Sequence, residues 1–153
     1  MNIVTSASVA YIHYLSFMLC FGALTYERIS LKTNPNKKEA TSMVIADIIY
    51  GLAGIALLVS GIYRVIKYGQ GADFYTQNPV FWTKIIIFAL VGSLSLYPTI
   101  TYILWAIPLS KGMLPEVTSS LVNRLKLIIN IELVGFSLIP LFATLMSRGI
   151  GIN

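Results

Sequence analysis

Five ionisable side chains sit where charge is costly. His13, Asp47, Arg64, Lys84 and Glu132 interrupt or border long uncharged stretches. A group of this kind in the middle of a membrane helix costs about 2.5–3.5 kcal/mol on insertion scales, and is kept where it faces a bundle interior and pairs. Asp47 and Glu132 therefore point to an intramembrane polar network that takes in Tyr50, or to a proton path. His13 is the single histidine. Placed mid-membrane beneath Arg64 and Lys84, it has the layout for haem b, with imidazole on the iron and propionates on the two cations. The second iron ligand would then be Met18, a Tyr, water or a group from another subunit. A quinone or an anionic lipid headgroup would use the same cations. A lone helical His also serves as a plain hydrogen-bonded interior residue.

Other signatures of chemistry are missing. There is no G-x-x-x-x-G-K-[ST] phosphate loop, no H-E-x-x-H zinc helix and no C-x-x-C. One His and one Cys cannot build a soft-ligand metal cage, so no metal site is expected. Cys20 has no partner for a disulfide within the chain.

Such residues need elements that carry them across a bilayer. The chain has 153 residues, 56% of them hydrophobic and only 11% charged, against about 25% charged in soluble domains. That composition excludes a water-soluble globule, a disordered tail and a nucleic-acid domain. The net charge of +5 comes from basic residues beside apolar runs, which is how such residues mark membrane topology. Residues 1–26 and 85–110 are uncharged runs long enough to span. Residues 48–63 and 133–147 are not, at 16 and 15 residues against about 20 needed. The second helix must draw in Asp47 and Arg64, and the fourth Glu132 and Arg148. The expected fold is all-α, a four-transmembrane-helix bundle in a single domain over 1–153, with spans of about 6–26, 43–63, 80–102 and 127–146. Asn34-Pro35 breaks the chain after the first span. Asn78 caps the third helix with Pro79 at its first position. Pro98 and Pro140 fall inside helices 3 and 4 and are expected to kink them. The N-terminal run reads as a span and not a cleaved signal, since no positive charge precedes it and a basic loop follows.

Seven Lys and Arg fall in the loops after spans one and three, and four near the opposite face. The positive-inside rule then puts both termini on the non-cytoplasmic side. The carboxyls Asp47 and Glu132 come to lie in the inner half, and His13, Arg64 and Lys84 toward the outer. Glu27, Arg28, Lys67 and Arg148 are expected to snorkel to the interfaces. His13, Phe17, Cys20, Leu24 and Glu27 share one stripe of the first helix. Asp47, Gly51, Gly54, Leu58 and Gly61 share a face of the second, whose glycines suggest a tight helix contact. Lys84, Phe88, Val91, Ser95 and Pro98 line the third. In the loop from Tyr68 to Pro79, Phe74 and Tyr75 either cap the outer helix ends or join Phe81, Trp82 and Trp105 in an interfacial aromatic belt.

Several segments occur together in order: Asp47-Ile-Ile-Tyr50-Gly51, Ser60-Gly61-Ile-Tyr-Arg64, Gly71-Ala-Asp-Phe-Tyr75, Asn78-Pro-Val-Phe-Trp82-Thr-Lys84, Ser93-Leu-Ser-Leu-Tyr-Pro98-Thr99 and Met146-Ser-Arg148-Gly149. With His13 and Glu132 they resemble a family of small bacterial four-helix integral membrane proteins of unknown function. The resemblance covers nearly the whole chain and implies a multi-pass protein of the bacterial cytoplasmic (inner) membrane. A more distant likeness is to membrane protoporphyrinogen oxidases lacking flavin and to copper-resistance D-type haem membrane proteins. They share a helix-1 His, like His13, and a Lys near the start of helix 3, like Lys84. The oxidases use further histidines, which this chain lacks.

Three functions stay open at this stage: a haem- or quinone-associated redox protein using His13, Arg64 and Lys84, a non-catalytic accessory subunit of a membrane complex, and proton-coupled transport through Asp47 and Glu132. The partners implied are the lipid bilayer and a homo-oligomer or larger membrane complex, with no nucleic acid.

Overall fold

A computed structural model describes residues 3–68 and 71–151 of the chain. The elements are α1 (Ile3–Ser30), α2 (Lys37–Tyr63), a π-helical turn (Arg64–Tyr68), a short α3 (Ala72–Thr76), α4 (Pro79–Ser110) and α5 (Ser119–Ser147). The apolar segments 6–26, 43–63, 80–102 and 127–146 lie inside α1, α2, α4 and α5. At 1.5 Å per residue these helices are roughly 40–48 Å long, enough for a hydrocarbon core of about 30 Å.

Local sequence sets where the helices begin. Asn36 Oδ1 accepts from Glu39 N at 2.9 Å, and Glu39 Oε2 accepts from Asn36 N at 2.9 Å. This capping box starts α2 just past Asn34-Pro35, and Asn34 turns the chain there at φ 53. Asn78 Oδ1 accepts from Val80 N at 2.8 Å, with Pro79 opening α4 as the sequence predicts. Thr118 Oγ1 accepts from Leu121 N at 3.2 Å to start α5.

The helices run alternately up and down, as short connections require. α1 packs most extensively on α2, and α4 on α5. The two hairpins meet through α2 with α4 and α1 with α5, so the four form a ring. Phe136 sits in its centre, 5.6 Å from Phe17 and 6.2 Å from Tyr50 by ring centroids. The buried polar residues are Ser16, Glu27, Asp47, Ser60, Asn78 and Glu132. The outside is apolar, with Ile48, Leu52 and Ile55 exposed on α2 and Ile86, Leu90, Ile100 and Ile103 on α4. That inversion of the soluble pattern suits a hydrocarbon solvent.

Several expectations need correction. Gly51 and Gly54 meet nothing within 4 Å where a Cβ would stand, so they make no tight contact among the described residues. Gly61 does: a Cβ there would lie 3.2 Å from His13 Cε1. The closest approach in the bundle is one the sequence reading passed over, where a Cβ on Gly135 would collide with Val91 Cγ2. Trp105 is no interfacial anchor; it is 4% exposed and packs edge-on to Tyr102 at 5.2 Å. Phe81 is buried too, and Trp82, 49% exposed, donates its indole N–H to the Thr76 carbonyl. Tyr75 lies 5.5 Å from Phe81, so the loop aromatics stack onto the start of α4; Gly69 and Gln70 of that loop lie outside the described residues. Asn78 also donates from Nδ2 to the Ile150 carbonyl at 3.3 Å, holding the segment after α5 against the head of α4.

Candidate functional site

The polar residues of the bundle divide into two groups, one at each end. The first gathers near the end of the bundle carrying the α1–α2 and α4–α5 loops. Each long helix contributes to it. α1 supplies Glu27, the last member of its inward stripe. α2 supplies Asp47 and, one turn further on, Tyr50. α4 supplies Thr99 and Tyr102, and α5 supplies Glu132. All but Thr99 are buried, with Glu132 and Tyr102 at 0% exposure and Glu27 at 1%. Thr99 Oγ1 donates to Asp47 Oδ1 at 2.8 Å. The carboxyls of Glu27, Asp47 and Glu132 lie within electrostatic reach of one another. Tyr102 and Tyr50 lie within electrostatic reach of Glu27 and Glu132 as well.

No cation answers this group. The described residues form one ion pair, Lys32 with Glu39 at 2.8 Å, and it lies on the surface. Arg28, beside Glu27 in sequence, turns away and donates from Nε to Asn130 Oδ1 at 2.6 Å. Arg124 donates to the Tyr97 hydroxyl at 3.3 Å. Among the described residues, four enclosed side-chain atoms have no hydrogen-bond partner: Glu27 Oε1, Tyr102 Oη, Glu132 Oε1 and Glu132 Oε2. Native interiors leave few such groups, and each calls for an explanation. Among the described residues, no three His, Cys, Asp or Glu side chains converge at metal-ligand spacing.

The sequence predicts Asp47 and Glu132 inside the bundle, and both are buried; it predicts Glu27 at the interface, yet Glu27 is buried as well. Glu27 ends a stripe that is inward all along its length, and the periodicity that placed Cys20 and Leu24 inside places Glu27 inside as well. Tyr102 and Thr99 were missed; neither carries a charge that would mark it in an apolar run.

The second group lies at the end carrying the π turn and α3. His13 Nδ1 is 3.1 Å from the Leu57 carbonyl oxygen and 3.0 Å from Ser60 Oγ. The Ser60 hydroxyl donates to the Ala56 carbonyl at 2.6 Å. A carbonyl only accepts, so the His13–Leu57 contact requires the proton on Nδ1 and leaves Nε2 bare in the neutral ring. Arg64 Nη2 donates to the Tyr14 hydroxyl at 3.2 Å, with its guanidinium 4.9 Å above the Tyr14 ring. Lys84 Nζ lies 5.0 Å from the centre of the Phe81 ring. Both cations act electrostatically on His13. Lys67 and Arg148 are exposed, in keeping with interfacial positions.

The residues present do not fit a haem on His13. The imidazole packs against the α2 backbone at Gly61. The groove beside it, between α1 and α2, is about 270 Å³ and is lined by Val9, Ile12, Ala56, Val59, Ser60 and Tyr63. That is smaller than the roughly 300–1,000 Å³ of sites that enclose drug-sized ligands, and neither Arg64 nor Lys84 is in its wall. His13 instead ties α1 to α2. Between the two polar groups lies an apolar layer built on Phe17, Leu57 and Phe136.

Residues 5–151 match the predicted membrane protein family DUF2214, and the chain belongs to that family. No curated protein and no solved structure matches it.

Proposed function

We propose that this DUF2214 membrane protein handles protons, with Glu27, Asp47 and Glu132 taking them up and releasing them in one half of the bilayer as part of proton-coupled transport. The observation that carries this reading is the set of unpartnered, fully enclosed carboxyl oxygens on Glu27 and Glu132. An ionised carboxylate taken out of water costs several kcal/mol unless something offsets its charge. No basic side chain does so here, and the carboxyls are not spaced to hold a metal ion, so a proton is the fitting occupant. A protonated carboxyl gains an O–H donor, and the free Tyr102 and Glu27 oxygens then become its partners. Asp47 stays poised by the Thr99 hydroxyl. The Phe17–Phe136 layer separates this cluster from His13, so protons reach it from the loop end, and passage further needs that layer to rearrange.

The test is infrared difference spectroscopy of the protein in lipid between acid and alkaline buffers, alongside dye-reported proton uptake by loaded liposomes. We expect a reversible carboxylic-acid band that shrinks in Glu132→Gln and Glu27→Gln, and uptake that falls about a hundredfold or more in Glu132→Gln, the scale of losing a positioned proton-transfer group. The absence of any titrating carboxyl band would overturn the proposal. The open glycines favour a second reading, an accessory subunit. Gly51, Gly54 and Gly92 line a groove of about 210 Å³ between α2 and α4, and no side chain among the described residues fills it. A partner helix bound there would be lost from purified complexes in Gly54→Leu, while proton uptake would be unchanged.

A further inference from the structure

Phe136 stands one helical turn beyond Glu132 on the buried face of α5. Its ring is 2% exposed and closes the bundle axis, 5.6 Å from Phe17 and 6.2 Å from Tyr50 by centroids. The same ring borders the groove between α2 and α4, whose walls include Tyr50, Gly51, Gly54, Val91 and Gly92. That groove holds about 210 Å³. An apolar cavity of about 150 Å³ already admits benzene, so the space beside Phe136 is large enough for its own ring. The room exists because three wall positions lack a side chain: a Cβ on Gly51, Gly54 or Gly92 would meet nothing within 4 Å. The backbone that carries the ring is both loosened and anchored. Pro140 lies four residues past Phe136 within α5. It has no N–H to offer the Phe136 carbonyl, so the helical ladder is interrupted at that residue. One position earlier, Gly135 approaches α4 so closely that a Cβ there would collide with Val91 Cγ2, and Val91 belongs to the groove wall. Phe136 is therefore hinged next to the groove. An aromatic side chain on a helix has two staggered χ1 wells open to it, which gives the ring a second position.

We propose that Phe136 is the gate of the proton path, and that its ring opens the path by swinging out of the bundle axis into the α2–α4 groove. This deepens the proton-handling reading given above and rests on it. With the ring inward, the apolar layer on Phe17, Leu57 and Phe136 bars the way from Glu132 to buried Ser16 and to His13. With the ring outward, the vacated axis admits water, and Glu132 Oε1 and Oε2, which otherwise lack partners, meet it. A proton then leaves Glu132 for water, and the carboxylate that remains is hydrated until the next proton arrives. The swing itself is inexpensive. The groove is apolar and its rim residues Ile55 and Leu58 are exposed on the lipid side, so the ring keeps apolar surroundings in both positions.

The experiment uses the full chain in liposomes, with dye-reported proton uptake and the infrared carboxyl band read on the same samples. A para-fluorophenyl label on Phe136 adds fluorine NMR of the ring itself. Filling the groove in Gly54→Leu or Gly92→Leu should slow uptake at least about tenfold, equivalent to about 1.4 kcal/mol of barrier, while the carboxyl band still titrates. Phe136→Ala should speed uptake. The double variant Phe136→Ala/Gly54→Leu should behave as Phe136→Ala does, because no ring then needs the room, and that non-additivity separates a gate from general damage to packing. The fluorine spectrum should show two ring environments in the otherwise unaltered protein and one in Gly54→Leu. Unchanged uptake in Gly54→Leu, the outcome that a partner helix in the groove predicts, would overturn the gate, and so would a single ring environment without that substitution. In either case a titrating carboxyl band leaves the proton-handling reading standing. If that band is absent, the reading falls and the gate falls with it.

Discussion

At the residue scale, His13 and Gly61 are one device. The imidazole lies against α2 because position 61 has no side chain, and from there it donates to Leu57. Gly61→Ala should push the ring off by a few tenths of an ångström and cost about 1 kcal/mol, the scale of one hydrogen bond. His13→Ala should cost a similar amount. The two losses should not add in the double variant, since both remove the same contact; thermal unfolding in detergent measures this, and simple additivity would argue against the pairing. The residues of the carboxyl cluster differ in how legible they are. Asp47 and Glu132 announce themselves because the apolar runs beside them are too short to span. Glu27 does not, because the first run is long enough without it, and only the stripe on its own helix locates it. Tyr102 and Thr99 leave no mark on hydropathy, and their role follows only from where α4 places them beside α1 and α2.

At the scale of elements, helix starts follow the sequence closely while helix contacts do not. Asn78-Pro79 and the Asn36/Glu39 pair are local signals, fulfilled within a turn of the chain. Which glycine meets which neighbour depends on how helices rotate against each other, and no local pattern carries that. Gly135 is the working case. Gly135→Ala should destabilise by about 1–3 kcal/mol, as overpacking a close contact does, and should be relieved in a Val91→Ala background. Gly51→Ala and Gly54→Ala, which meet open space, should leave the unfolding midpoint of the monomer unchanged or raise it slightly, since a helical glycine costs roughly 0.5–1 kcal/mol relative to alanine. A reversed order of these effects would mean that α4 and α5 are not held as described.

Over the whole molecule, the four-helix membrane fold is legible in composition alone, because too few charges remain to clothe a soluble surface. The axial separation of charge is legible in part. Carboxyls collect toward one end, with Arg64 and Lys84 toward the other, and we propose that the uneven count of Lys and Arg in the connecting segments sets the orientation in the membrane. We expect a cysteine placed at Thr33 or Met113 to react with impermeant reagents only when the cytoplasmic face is opened, and one placed at Thr76 to react in intact cells. Buried Cys20 should not react in either case and needs no replacement for the assay. Labelling of all three positions from the same side would refute the up-and-down arrangement.

The bond between Asn78 and the Ile150 carbonyl joins residues 72 apart in sequence. At the roughly 5–20 residues per second of protein synthesis, several seconds pass between the making of one and of the other. Asn78 can cap α4 through Oδ1 as soon as that helix forms, but its Nδ2 does not meet the Ile150 carbonyl until α5 has crossed and the chain has reached Gly151, where a Cβ would crowd Asn78 Oδ1. The clasp is therefore a timing mark in biogenesis: the α1–α2 hairpin can enter the membrane and pack early, while the Asn78–Ile150 bond waits for the residues that follow the last span.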